Sequence, residues 1–168
     1  MPFYRRNPML KRHFILALTA ATVLAGCASG PRPVSVADTL AAQPQLSTLA
    51  GLISKAGLTD TLKGTGPFTV FAPSNEAFSK VPAATMQALA ADPAKLKAVL
   101  TYHVLAGKVM AADVKNGNSK TVNGANLALS RAGEFVTVED ALVQTPDISA
   151  TNGVVHIVDS VLIPPVAR

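Results

Sequence analysis

The residues of this sequence that could do metal or acid–base chemistry are few and widely spaced. His103 and His156 are the only histidines after position 13. Asp113 and Asp159 are carboxylates that could join them, but no His-x-x-x-His or Glu-x-x-His spacing supports a ligand set. Two imidazoles also lack the third and fourth ligands that a zinc site uses. We therefore expect two buried histidines with backbone hydrogen-bond partners, no metal site and no cofactor.

Nucleophilic catalysis has equally little support. The sequence contains no Gly-x-Ser-x-Gly elbow. Ser74 is expected to cap a helix, and Ser160 is predicted to lie within a strand among apolar neighbours. The glycine-rich stretch at 64–67 precedes a strand, whereas a phosphate-binding loop follows one, so it is predicted to be a turn. We expect no catalytic residue and no enzyme.

The elements that would position these residues are helices in the first part of the chain and strands in the second. Apolar residues recur at helical spacing from 46 to 56, and Gly57 is a plausible stop. Asp92 is predicted to cap a helix that leads to His103. Between these helices, residues 68–71 (FTVF) are predicted to form a short strand.

Short strands dominate after position 117. Residues 121–122 and 127–129 flank an Asn-Gly hairpin signal, and 135–138, 142–143 and 154–162 are predicted to be further strands. The 154–158 segment is apolar except for His156, which indicates a strand covered on both faces. The alternation of side chains along a strand predicts that Asp159 points to the face opposite His156. Helices followed by strands predict an α+β fold rather than a doubly wound α/β sheet.

The N-terminal residues indicate export. A basic start, an apolar stretch from 14 to 24 and small residues before Cys27 are typical of a signal peptide covering residues 1–26. The apolar stretch is shorter than the roughly 20 residues that span a bilayer. The sequence Leu-Ala-Gly-Cys at 24–27 resembles the lipobox of bacterial lipoproteins, which implies lipidation at Cys27; an ordinary signal peptide with an incidental cysteine is the alternative. Either Met1 or Met9 could be the true start.

The signal peptide accounts for most of the net charge of +5. Four of the fifteen Lys and Arg residues precede Cys27 and none of the ten acids does, which leaves eleven bases against ten acids, a net of +1. A nucleic-acid surface requires a clustered basic field, so we expect no nucleic-acid partner. Residues 27–34 are predicted to be a short tether and 35–165 a single domain.

Three blocks of sequence resemble the fasciclin-type (FAS1) family. They are residues 68–78 (FTVFAPSNEAF), the Tyr102-His103 pair and residues 152–162 (NGVVHIVDSVL), in the family's order. The resemblance covers about 35–165 and implies a single-domain bacterial member with a β-sandwich or wedge flanked by several helices. The signature residues, which we interpret as structural, are Phe68, Thr69, Phe71, Ala72, Pro73, Ser74, Phe78, Asn152, Gly153, His156 and Asp159.

The resemblance also implies cell adhesion, with a tyrosine-histidine region and an Asp-Ile dipeptide as recognition elements. The candidate partner contacts are therefore Tyr102, His103, Asp147 and Ile148, although Tyr102 and His103 could instead anchor a helix end into the sheet. Asp147 could also close the turn before the final strand.

The function predicted from these features is a lipid-anchored binding or adhesion module of the cell envelope that recognises a protein or glycan non-covalently. A periplasmic small-molecule or lipid carrier is the alternative, and an enzyme is third. The lipobox resemblance also implies the sorting rule of enterobacterial lipoproteins, in which aspartate after the cysteine favours inner-membrane retention. Ala28 follows Cys27 here, so the resemblance implies the outer membrane in a host that has one; the side faced stays open.

Overall fold

The computed structural model describes residues 34–164. The predicted signal peptide and all but the last residue of the predicted tether lie outside this range. Two short 3₁₀ turns, Pro44–Leu46 and Ala111–Asp113, accompany the regular elements. These elements are α1 (Val36–Ala42), α2 (Ser47–Lys55), α3 (Thr59–Lys63), β1 (Phe68–Pro73), α4 (Asn75–Ser79), α5 (Ala83–Ala91), α6 (Pro93–Tyr102), β2 (Val104–Ala106), β3 (Gly117–Lys120), β4 (Asn126–Ala132), β5 (Phe135–Val138), β6 (Ala141–Ala150) and β7 (Gly153–Val158). The order of helices before strands confirms the α+β class.

Helix starts and stops follow the local chemistry of the sequence. The Ser74 hydroxyl accepts a hydrogen bond from the Ala77 N–H at 3.2 Å, which caps α4 as predicted. The Asp92 carboxylate accepts from the first backbone N–H groups of α6 in the same way. Gly57 adopts φ +67 just after α2, a conformation that suits a helix stop.

The seven strands within residues 34–164 form one curled sheet in the order β2-β1-β7-β6-β5-β4-β3. β1 and β7 are parallel neighbours, second and third in this order, and each other pair is antiparallel. The two outer strands meet at a bridge between Leu105 and Thr121, and the Val122 N–H donates to the Val104 carbonyl at 2.8 Å. The sheet is therefore a nearly closed wedge with helices on its outside, as the resemblance implied.

Strand β7 separates two apolar cores, and its six residues are all buried. Val155 and Ile157 face the helices and pack in a core with Leu40 and Leu46 of the helical layer. Val158 faces the interior of the curled sheet, where it packs in a core that includes Phe71. The prediction of a strand covered on both faces is confirmed.

The structure corrects the predicted end of the last strand. β7 ends at Val158 rather than at position 162, so Ser160 lies in a bend and not within a strand. The Asp159 N–H donates to the Leu142 carbonyl at 3.1 Å, and the Asp159 carboxylate accepts from the Leu142 N–H at 2.8 Å. This reciprocal pairing and the bend that follows end the strand.

The hairpin around Asn123-Gly124 is present, but the strand predicted at 121–122 lies earlier in the chain, at Gly117–Lys120. β3 ends at Lys120, and Thr121 and Ala125 close the turn through the Thr121 N–H and hydroxyl. Gly124 has φ +91 in this turn, which explains the Asn-Gly signal. Of the helices within residues 34–164, none has the length and apolar character needed to cross a bilayer.

Candidate functional site

Tyr102 is the last residue of α6 and His103 is its C-cap, and both residues are 2% exposed. The Tyr102 hydroxyl lies 3.1 Å from the Asn126 carbonyl oxygen and 3.1 Å from Glu139 Oε1. Burial, with a smaller effect of the Glu139 charge, raises the pKa of Tyr102 to about 12. The phenol is therefore a neutral hydrogen-bond donor that ties α6 to the β5–β6 turn.

Glu139 is held in that turn by three hydrogen bonds. It has φ +52, unusual for a residue other than glycine. Its N–H donates to the Ala128 carbonyl at 2.8 Å, and its Oε1 accepts from the Ala128 N–H at 2.8 Å as well as from Tyr102. The pairing with β4 explains how the turn tolerates the left-handed backbone.

His103 connects α6 to the segment after β7. Its Nδ1 lies 2.8 Å from the Val99 carbonyl oxygen, and its Nε2 accepts from the Leu162 N–H at 3.0 Å. The Leu162 bond places the ring proton on Nδ1, where it is donated to Val99. Burial lowers the pKa of His103 to about 4, so the ring is neutral at pH 7.

His156, on strand β7, is buried in the same way. Its ring stacks on Phe71 with centroids 5.5 Å apart. Nδ1 accepts from the Asp147 N–H at 3.1 Å, which leaves Nε2 to donate to the Val109 carbonyl at 2.8 Å. Burial lowers its pKa despite the favourable Val109 contact and the Asp147 charge. Both histidines are buried with backbone partners, as predicted from the sequence.

The Asp147-Ile148 dipeptide lies inside strand β6 rather than in the turn before β7, so the turn-closing interpretation of Asp147 was wrong. Asp147 has φ +59 at an irregularity in the β6–β7 pairing. Its carboxylate accepts from the Ala111 N–H at 2.9 Å, while Ile148 packs on the helical core. The pair connects β6 to neighbouring segments, and its role as a partner contact stays a prediction.

The candidate metal ligands are engaged elsewhere. Both ring nitrogens of each buried histidine contact the backbone, and the Asp159 carboxylate binds Leu142 N–H and lies 3.8 Å from Lys80 Nζ. Asp113 is exposed on a 3₁₀ turn. Among residues 34–164, no three His, Cys, Asp or Glu side chains are grouped so that they could hold a metal ion.

Several signature residues form long-range backbone contacts. The Asn152 side chain accepts from the Val36 N–H at 2.8 Å and donates to the Leu62 and Gly64 carbonyls, each at 2.8 Å. A Cβ at Gly153 would overlap the Phe68 carbonyl oxygen. Thr69, Phe71, Ala72, Pro73 and Ser74 are buried, and Phe68 and Phe78 pack partly buried against the helical core.

An open cleft of about 360 Å³ lies beside Tyr102, at the end of the sheet where β7 stops. Tyr102, Asn126, Glu139 and Asp140 line one side, and residues 160–163 line the other. Ile163 is 58% exposed, and Asp140 is exposed as well. We call this the distal cleft. Sequence reasoning found only Tyr102 of its lining, because Asn126, Glu139 and Ile163 come from segments far apart in the chain.

The apolar cavities are much smaller than the distal cleft. One, of about 30 Å³, lies between α2, α3 and β1, and another, of about 10 Å³, lies among α2, α5 and α6. His103 borders both. Neither holds more than about one water molecule, so they are packing voids and not preformed ligand pockets.

The fold and the distal cleft together define an α+β domain with an open surface at one end of a curled sheet. A sequence model of the fasciclin domain matches residues 44–164, and the chain belongs to this family.

Relatives and a solved structure agree with this assignment. Immunogenic protein MPB70 of Mycobacterium bovis is 40% identical over 138 residues, covering 79% of this chain and 69% of the relative. Protein sll1483 of Synechocystis is 38% identical over 134 residues, covering 79% and 74%. Cell surface glycolipoprotein MPB83 of Mycobacterium bovis is 38% identical over 147 residues, covering 84% of this chain but only 64% of the relative.

The fold matches a FAS1 domain pair from the insect cell adhesion molecule fasciclin I with a TM-score of 0.68. The two are 19% identical, and the match covers 77% of this chain and 51% of the insect chain. This chain therefore spans about half the length of the domain pair.

Proposed function

We propose that this protein is a lipid-anchored binding module of the bacterial cell envelope that recognises a protein or glycan non-covalently at the distal cleft. The observation that carries the proposal is the position of the cleft relative to the point where the chain enters the domain. The lipid on Cys27 would be the only membrane attachment that the proposal needs.

The chain enters the domain at the end opposite the cleft. The Val34 carbonyl accepts from the Thr151 N–H at 3.0 Å, close to Gly153, the first residue of β7. The distal cleft begins just after Val158, the last residue of β7. Six strand residues separate the two ends by about 17 Å. A domain tethered through Val34 can therefore turn the cleft away from the membrane.

The cleft has the mixed character of a recognition surface. Exposed Ile163 supplies apolar area, while Asp140, the Glu139 carboxylate and the Asn126 carbonyl supply polar groups. Apolar area surrounded by polar groups is typical of non-obligate interfaces. The Tyr102 and His103 contacts fix the walls of the cleft, so these two residues would act by positioning it rather than by direct contact.

The comparisons support a place at the cell surface. One relative is named a cell surface glycolipoprotein, and the solved structural neighbour comes from a cell adhesion molecule. An outer-membrane position, expected from Ala28 after the lipidated cysteine, is part of the proposal.

A carrier of lipids or small molecules has less support. Ligand pockets are mostly apolar and span roughly 300–1,000 Å³. Two apolar cavities within residues 34–164 measure only about 30 and 10 Å³, and the distal cleft, which is larger, is open and has polar groups in its lining. The engaged histidines and the capping role of Ser74 likewise give an enzyme little support.

Cross-linking in envelopes tests this function. Cells that express the wild-type chain, Ile163→Glu, Lys97→Glu or Cys27→Ser would be treated with a reversible cross-linker, and the protein recovered with its partners. Lys97 is an exposed lysine of α6 outside the cleft, so its charge reversal is the matched control. We expect one discrete partner with wild type and Lys97→Glu, and its loss with Ile163→Glu and with Cys27→Ser. Recovery of the same proteins by all four chains would refute the proposal.

A further inference from the structure

The curled sheet has a gap where its two outer strands diverge. β2 and β3 meet at the Leu105–Thr121 bridge, and beyond this bridge no further pairing joins them in the described part of the chain. A groove of about 320 Å³ opens there between Ala106 and Val109 on one side and Ser119 and Lys120 on the other. We call it the β2–β3 seam.

Two buried signature residues, Thr69 and His156, bind the backbone just after β2 and so keep it away from β3. The Thr69 hydroxyl donates to the Gly107 carbonyl at 2.7 Å and accepts from the Val109 N–H at 2.8 Å. His156 Nε2 donates to the Val109 carbonyl at 2.8 Å. Gly107 has φ +125, which turns the chain at the point where β2 ends. The chain after β2 is thus held against β1 and β7 instead of running along β3.

Beyond the Leu105–Thr121 bridge, the backbone of β3 therefore has an edge that pairs with no other strand of residues 34–164. The Thr121 N–H donates to the Ala125 carbonyl, and this pair fixes which residues of β3 face β4. Because hydrogen-bonded and non-hydrogen-bonded pairs alternate in an antiparallel ladder, the backbone groups of Asn118 and Lys120 point away from β4, into the seam. An edge of this kind is a template for an additional strand.

Exposed lysines outnumber acidic residues in the segment from position 107 to 120, which borders the seam. Lys108, Lys115 and Lys120 are exposed, and none of them forms an ion pair within residues 34–164. Between positions 107 and 120 the only acidic residue is Asp113. Lysines on a strand edge disfavour non-specific strand pairing with neutral chains, whereas the carboxylates of an acidic strand would neutralise the lysine charges.

We propose that the β2–β3 seam binds an extended acidic peptide, which adds to β3 as a further strand. Backbone hydrogen bonds to Asn118 and Lys120 would supply affinity, and the three lysines would select an acidic sequence. This inference rests on a surface separate from the distal cleft, and it holds whether or not the chain is lipid-anchored.

A direct test uses the purified full-length chain and a synthetic peptide of about ten residues, a common strand length, that alternates glutamate with valine. The matched peptide carries lysine in place of glutamate. We expect saturable binding of the acidic peptide only, with slower amide hydrogen exchange at Asn118 and Lys120. Equal binding of both peptides, absence of binding, or protection confined to other strands would overturn the inference.

Variants separate the seam from general charge effects. Lys120→Glu should weaken binding of the acidic peptide about tenfold, whereas Lys97→Glu, an equal charge change on α6, should leave it unchanged. Asn118→Pro removes one edge N–H and should also weaken binding. Lys120→Glu leaves the backbone unaltered, so its affinity for the acidic peptide still tests the proposal if Asn118→Pro fails to fold. Similar losses for Lys120→Glu and Lys97→Glu would contradict a seam site.

Discussion

The Tyr102 hydroxyl and the Glu139 carboxylate meet at 3.1 Å, although 37 positions separate them in the chain. Glu139 also accepts from the Ala128 N–H, so a single carboxylate joins the end of α6, the start of β4 and the β5–β6 turn. These three segments form one side of the distal cleft. The shape of the proposed recognition surface therefore depends on a hydrogen bond of a buried residue.

Removal of the Tyr102 hydroxyl should destabilise the domain. Tyr102→Phe keeps the ring but leaves Glu139 and the Asn126 carbonyl without this donor, and hydrogen bonds to charged groups contribute about 1.5–3 kcal/mol. We expect a loss of about 2 kcal/mol in the free energy of unfolding, measured by urea denaturation. A change below about 0.5 kcal/mol would show that water replaces the hydroxyl without cost.

Mild acid should destabilise the protein through His103. Its pKa is about 4 in the folded chain and about 6.5 when unfolded, so the unfolded chain takes up a proton first as the pH falls. The stability that this group contributes is complete above about pH 6.5 and is lost as the pH falls towards 4. The full loss is about 3 kcal/mol, measured by denaturation at a series of pH values.

The control for this prediction is a residue that cannot titrate. His103→Gln should be less stable at pH 7, because the glutamine side chain does not reproduce the ring contacts with Val99 and Leu162. Its free energy of unfolding should, however, fall less steeply than that of the wild type as the pH is lowered. His156 keeps some pH dependence in both chains, since burial lowers its pKa too. Identical pH profiles for wild type and His103→Gln would contradict the assignment.

Two glycine substitutions should have opposite effects. Gly153→Ala places a Cβ against the Phe68 carbonyl oxygen between the parallel strands β1 and β7, and we expect a loss of at least about 3 kcal/mol. Gly51→Ala lies within α2, where a Cβ meets nothing within 4 Å, and should stabilise by about 0.5–1 kcal/mol. Thermal unfolding of both variants checks the pair. Similar midpoints would mean that β1 and β7 lie farther apart than described.

Asn152 should matter far more than another asparagine in a turn. Asn152→Ala removes three hydrogen bonds that join α1 and the end of α3 to the sheet, and leaves the Val36, Leu62 and Gly64 backbone groups without this partner. We expect a loss of about 2–4 kcal/mol, whereas Asn123→Ala in the exposed β3–β4 turn should cost less than about 1 kcal/mol. Denaturant midpoints that differ by less than the error would refute this role.

Local signals in the sequence predicted the elements well. The Ser74 and Asp92 caps, the Gly57 stop and the buried strand around His156 all depend on neighbouring residues, and the structure confirms each. The family resemblance, carried by three blocks, implied a β-sandwich or wedge flanked by helices, and the structure is the wedge.

Local sequence patterns could not predict the long-range contacts. Val158 ends β7 because Asp159 pairs with Leu142 and the segment after it bends towards His103, and neither partner is adjacent in sequence. The left-handed backbone at Glu139 and Asp147 carries no sequence signal comparable to glycine. The distal cleft and the β2–β3 seam both arise from such contacts, so they became visible only in three dimensions.

The most direct test of the central claim is site-specific photo-cross-linking in living cells. A photoreactive amino acid at position 163, in the distal cleft, is compared with one at position 97, on the exposed side of α6. The account predicts a discrete adduct from position 163 that disappears with Cys27→Ser, and only background from position 97. Adducts of equal yield from both positions, or none from position 163, would contradict a recognition site at the distal cleft.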